Sequence, residues 1–137
     1  MYYIACIILG MSKSYEQKLL TDWEDIFRQG LLTFWVFVAL KDKKLSVVEI
    51  KQRVEDLTET TYSAAEQTLY RLLRKHYDLE LVDYEEVPGK GGPKKKLYTL
   101  SPLGKELLSD FAQRNISLFN QEQIIKLSKK GKNNEIK

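Results

Sequence analysis

The chain has 137 residues, 43% apolar and 30% charged, which suits one globular domain or one domain with a short appendage and excludes a disordered chain. Its formal net charge is only +3, so a nucleic-acid function must rest on where the cations sit rather than on their sum. The single cysteine, Cys6, excludes an intramolecular disulfide, and with one histidine, His76, no Cys/His zinc site can be assembled. No metal or cofactor is expected, and a reducing cytoplasm is the expected compartment.

Residues 1–10 form an uncharged apolar run that is too short to span a bilayer and lacks the basic start of a signal peptide. Residues 1–12 are therefore expected to be an extension without stable membrane association. Over 16–29, Leu19, Leu20, Trp23, Ile26 and Phe27 recur at helical spacing between charged residues, and Gly30 is placed to punctuate that helix. Residues 31–40 are apolar almost all round, which predicts a separate, buried central helix ahead of a charged turn at 41–44.

Two capping-box spacings follow, Ser46 with Glu49 and Ser63 with Glu66, in which hydroxyl and carboxylate satisfy the first amides of a helix. They predict helices over 47–56 and 64–76, joined by a short polar connector in the manner of a helix-turn-helix. The period then changes. Residues 79–87 and 96–100 read as strands flanking a loop rich in proline, glycine and lysine, which makes a β-hairpin wing. Ser101 and Pro102 suit the N-cap and first position of a last helix, expected over 101–130. Leu103, Leu107, Phe111 and Leu118 stripe it, and Asn115-Ile116-Ser117 forms a weak middle where it should bend or stop. The tail, 131–137, is polar and expected to be disordered.

The expected architecture is thus α+β and mostly α: a winged helix-turn-helix domain over 13–100, with a two-stranded wing and a C-terminal helix. On the second capped helix, Leu69, Leu72, Leu73 and His76 share one face, and a lone histidine there reads as a hydrogen-bonded core residue. The opposite side carries Gln67, Thr68, Tyr70, Arg71, Arg74 and Lys75, which can serve phosphates and base edges, with Ser63 at the entry to the major groove. In the wing, Lys90, Lys94, Lys95 and Lys96 bring four cations with no acid between them, suited to the DNA backbone or minor groove. Helix and wing together predict binding of double-stranded DNA.

Thr68-Leu69-Tyr70-Arg71-Leu72-Leu73-Arg74, and the run from Gly91 through Pro93-Lys94-Lys95-Lys96-Leu97-Tyr98-Thr99-Leu100-Ser101-Pro102 to Gly104, resemble the signature segments of PadR-type winged helix regulators in their short form. The resemblance covers residues 23–119. It implies a homodimer in which the C-terminal helix packs on the partner's N-terminal helix, through Leu19, Trp23, Leu103, Leu107, Phe111 and Leu118. It also implies repression released by a small, often aromatic effector. Three positions depart from the family pattern: Glu80 stands where a left-handed glycine usually ends the recognition helix, His76 replaces a leucine, and Leu45-Ser46-Val47 replaces a Tyr-Gly start.

A winged helix that binds proteins rather than specific DNA is the alternative, disfavoured by the lysine cluster at the wing tip. An enzyme is not expected. Cys6 lies in the extension, His76 on an apolar face, and the loop around Gly91 joins two strands instead of opening a helix.

Overall fold

The computed structural model describes residues 12–129, so residues 1–11 of the expected extension and the expected tail lie outside the described residues. Helix α1 spans Ser12–Leu40 without interruption, 29 residues or about 43 Å at 1.5 Å per residue. The punctuation expected at Gly30 is therefore corrected. One mid-helix glycine costs about 1 kcal/mol relative to alanine. Burial of Leu32, Val36, Phe37 and Leu40 just beyond it returns about 1.5–3 kcal/mol each, so the helix continues. Only this second half is buried; described residues 13–23 are all exposed.

Helix α2, Val47–Leu57, starts in the expected capping box: the Ser46 amide donates to Glu49 Oε1 at 2.9 Å and the Glu49 amide to Ser46 Oγ at 3.3 Å. It buries Val47, Ile50 and Val54. Helix α3, Glu66–Asp78, does not start in the second box, which corrects the expectation for Ser63. Ala65 is the N-cap, with no side-chain bond, and the Ser63 hydroxyl donates to the Glu55 carboxylate of α2 instead. With the helix starting at Glu66, Ser63 stands two residues ahead of the N-cap, out of place for its oxygen to accept from the first amides.

Helix α3 ends in a Schellman motif. The Leu81 amide donates to the His76 carbonyl at 2.9 Å and the Glu80 amide to the Tyr77 carbonyl at 3.0 Å, with Glu80 at φ +63°. The left-handed position is thus present, filled by a residue with a Cβ. Because that turn takes up residues 79–81, strand β1 is Val82–Val87 and shorter than expected. It pairs antiparallel with β2, Lys95–Leu100, in a register running from Val82 opposite Leu100 to Val87 opposite Lys95. Leu45 adds a third, one-residue rung, exchanging both backbone hydrogen bonds with Tyr98 at 2.9 and 2.8 Å.

The core is one cluster in which Leu32, Val36, Phe37 and Leu40 of α1 meet Val47, Ile50 and Val54, then Leu69 and Leu73 of α3, then Val82, Tyr98 and Leu100. His76 fits it as a hydrogen-bonded residue: Nδ1 lies 2.8 Å from the Leu72 carbonyl and the ring meets Phe37 edge-on.

Buried Ser101 caps helix α4, Pro102–Phe111, accepting from the Gly104 amide at 3.0 Å while donating to the Glu80 carbonyl at 2.8 Å. A Cβ on Gly104 would lie 2.2 Å from the Leu81 carbonyl oxygen, so only glycine lets α4 approach this turn. The C-terminal helix is not continuous. A π-helical turn at Ala112–Ile116 and a 3₁₀ turn at Ser117–Asn120 lead to α5, Glu122–Ser128, after Gln121 turns extended. The break falls where composition places it: Asn115 Nδ2 donates to the Phe111 carbonyl and the Ser117 hydroxyl to that of Gln113, competing with the helix ladder.

Glu80→Gly should raise stability by about 1 kcal/mol by relieving the left-handed conformation, whereas Gly104→Ala should lower it by about 1–3 kcal/mol through overpacking. Urea unfolding of the two variants beside the parent chain checks both signs.

Candidate nucleic-acid interface

The helical period divides α3 into three stripes. Leu69 and Leu73 face the core; Tyr70, Arg74 and Tyr77 line a cleft toward the hairpin; Gln67, Arg71 and Lys75 lie at four-residue spacing on the exposed side. Of the residues expected to meet DNA, all but Thr68, which is half-buried, are exposed. Ser63 sits beside the entry of α3 with its hydroxyl engaged by Glu55.

Opposite α3 stands the hairpin. The face bearing Val82, Tyr84, Glu86, Lys96, Tyr98 and Leu100 turns toward α3, and the register places Tyr84 against Tyr98 and Glu86 against Lys96. Tyr77 of α3 lies 4.9 Å from Tyr84 between ring centroids, and Tyr84 lies 5.7 Å from Tyr98. Burial pushes the Tyr98 hydroxyl above its ordinary pKa. Between α3, the start of α2 and the hairpin lies a cleft of about 880 Å³, floored by Val47, Leu73 and Tyr98 and rimmed by Arg74, Lys94, Lys95 and Lys96.

The wing loop depends on two glycines. Gly91 has φ +67°, and a Cβ on Gly89 would lie 2.3 Å from the Pro93 carbonyl oxygen, so side chains at either would open the loop. Among the described residues, no ion pair engages Arg71, Arg74, Lys75 or any of the wing lysines. They differ in their surroundings, however. Lys95 acts on Glu49, whose carboxyl is held below its ordinary pKa first by the Ser46 amide, then by the Ser46 hydroxyl. Lys96 Nζ lies 4.6 Å from the centroid of the Tyr84 ring. Lys90 and Lys94 stand at the tip, exposed.

Sequence reasoning placed the cations but missed the aromatic contact between helix and wing. The signal was present: Tyr70 and Tyr77 lie seven apart on α3, and Tyr84 and Tyr98 share strand parity with the buried Val82 and Leu100. The Leu45 rung carries no such signal, being a single residue.

A helix-turn-helix whose second helix presents unpaired cations beside a lysine-tipped hairpin defines a winged helix DNA-binding protein. The sequence model of the transcriptional regulator PadR-like family matches residues 36–110, more than half of the chain. The chain belongs to that family, and is a DNA-binding transcriptional regulator.

Solved structures agree. A PadR-like transcription factor from Bacteroides fragilis is 27% identical, with a TM-score of 0.58 over 71% of this chain and 91% of that one. Bacillus subtilis PadR, crystallised in complex with operator DNA, is 25% identical with a TM-score of 0.54, over 59% of this chain and 46% of that one. A PadR family regulator from Eggerthella lenta, 18% identical, shares the fold at a TM-score of 0.67 over 78% of this chain and 91% of that one. No curated protein matches the chain.

Proposed function

We propose that the protein is a sequence-specific DNA-binding regulator that acts in the cytoplasm as a homodimer, repressing until a small molecule releases it. The observation that carries the reading is that Arg74 of α3 and Lys94, Lys95 and Lys96 of the wing line one cleft, with Arg71, Lys75 and Lys90 exposed as well, and none of them has an ion-pair partner among the described residues. Unpaired cations on a protein surface remain available for phosphates, which binding neutralises with release of counterions. Gln67, Tyr70 and Arg71 supply the hydrogen-bonding groups that distinguish base edges. That Bacillus subtilis PadR was crystallised in complex with operator DNA supports the DNA-binding reading.

Dimerisation is supported by apolar surface the described fold leaves uncovered. Trp23 and Ile26 are 72% and 71% exposed on the first half of α1, and Leu19, Leu103, Leu107, Phe111 and Leu118 are exposed as well. Large apolar side chains recurring on one helix, as Leu19, Trp23 and Ile26 do, mark an interaction surface rather than scattered exposure. A two-fold dimer would set two recognition helices about 34–36 Å apart, one turn of DNA.

The effector has a candidate seat. Phe34, Val38, Leu108 and Ala112 line a cavity of about 410 Å³ between α1 and α4, with Lys41 and Lys105 also in its wall. Its size suits a small ligand; Lys41 is paired with Asp42 of the same wall at 3.6 Å, which leaves Lys105 to meet an acidic group on it. It borders Ala112, where the π-helical turn begins, so a ligand there would bear on the course of the C-terminal segment.

The duplex upstream of the protein's own gene should bind more tightly than a scrambled duplex, with affinity falling steeply as salt rises. Arg71→Ala and Tyr70→Ala should each weaken specific binding by about 1–3 kcal/mol in fluorescence anisotropy. Unchanged affinity in both variants would overturn the recognition surface, and no binding even at low salt would return the reading to a protein-interaction module. In sedimentation equilibrium the parent chain should run as a dimer and Trp23→Lys as a monomer; a parent chain that stays monomeric at micromolar concentration contradicts the dimer.

A further inference from the structure

We infer that Tyr84 is a positioning residue that sets the angle of the wing against the recognition helix, and through it the reach of the wing lysines. The inference rests on the DNA-binding reading above and adds a residue to it.

A two-stranded hairpin is marginally stable on its own, so its orientation is whatever its root contacts impose. Val82, Tyr98 and Leu100 belong to the core and Leu45 bridges the Tyr98 backbone, so the root is fixed; beyond it, the outer face is tied by the pair of Lys44 with Glu85 at 3.3 Å. Both partners of that pair are more than half exposed, and such surface pairs hold little. The inner face is held differently. Tyr84 is half-buried, with its ring 4.9 Å from Tyr77 on α3 at 53° and 5.7 Å from Tyr98 at 47°. These separations are those of favourable tilted aromatic pairs. Tyr84 is therefore a link between the last turns of the recognition helix and the middle of both strands.

The same ring carries a charge. Lys96 Nζ sits 4.6 Å from the Tyr84 centroid, a cation–π contact that holds the ammonium on the α3 side of the hairpin, beside the cleft that Arg74 also lines. Lys94 follows along the same edge of the cleft. If the ring is lost, the part of the hairpin beyond Tyr98 loses its tie to α3, and the lysines no longer present one fixed surface with the helix. The wing then contributes fewer phosphate contacts, while Arg71 and Gln67 keep theirs.

The test uses the full chain and three variants. Tyr84→Phe keeps the ring, Tyr84→Leu keeps apolar volume without it, and Tyr84→Ala removes both. Tyr84→Phe should bind the upstream duplex as the parent does. Tyr84→Leu and Tyr84→Ala should bind about tenfold more weakly, with a salt slope shallower by about one to two phosphate contacts. Spin labels at Lys95→Cys and Asp78→Cys, in a Cys6→Ser background, should give one narrow distance in the parent and in Tyr84→Phe, and a broadened one in Tyr84→Leu. Unchanged label distance in Tyr84→Leu overturns the inference whatever the DNA data show. A loss of affinity in Tyr84→Phe also overturns it, because the hydroxyl would then be touching DNA directly. Should the parent chain bind no duplex, the DNA reading fails, while the label distances still decide whether Tyr84 holds the wing.

Discussion

The pair of backbone hydrogen bonds between Leu45 and Tyr98 is the constraint on which the rest of the molecule depends. It joins the connector that follows α1 to the strand that leads out of the wing, so the start of α2 and the root of the hairpin are fixed to each other. Tyr98 serves three elements at once: its backbone pairs with Leu45 and Tyr84, its ring is 6% exposed in the core, and it lines the floor of the cleft before α3. Nearby, the turn after α3 is locked to the start of α4 by Ser101, whose hydroxyl joins the Glu80 carbonyl to the Gly104 amide. Helix-turn-helix, wing and C-terminal helix thus meet at two short segments, around Tyr98 and around Ser101.

That rigidity makes a modest net charge effective. A formal charge of +3 would attract DNA weakly if it were spread over the surface. Here many acids are paired elsewhere: Asp22 with Lys18, Glu24 with Arg28, Glu55 with Lys51, Glu85 with Lys44 and Glu122 with Lys126. Glu49, at the edge of the cleft, is held by the capping box. The cations of α3 and the wing tip are left outside these pairs.

Much of this was legible in the sequence because the signals were chemical. Ser46 with Glu49 names a helix start, the Pro88 to Pro93 loop names a turn, and the apolar period of Leu69 and Leu73 names the buried side of α3. The family resemblance, not the residue itself, marked Glu80 as a left-handed position, and its φ of +63° agrees. Where the reading failed, a tertiary partner outweighed a local preference. Ser63 matched a capping box but met Glu55 across the turn, and Gly30 matched a helix stop but preceded the four apolar residues that anchor α1. The aromatic link at Tyr84 showed only as the spacing of Tyr70 and Tyr77 and the parity of Tyr84 and Tyr98, and joining the two takes the strand register and the helix packed against it.

Two uncovered apolar regions and the broken C-terminal segment form no part of the cleft between α3 and the wing. The first half of α1 and the segment beyond α4 remain exposed in the single chain, and the π-helical turn lies between the cavity lined by Phe34 and Leu108 and helix α5. A π-helical turn of this kind often accompanies function. The most direct test of the central claim, that α3 and the wing act as one DNA-binding surface, is amide hydrogen exchange with and without the upstream duplex. The account predicts added protection in residues 66–75 and 88–96 together, with residues 13–28 unchanged. Protection confined to α1, or in α3 without the wing, would contradict it.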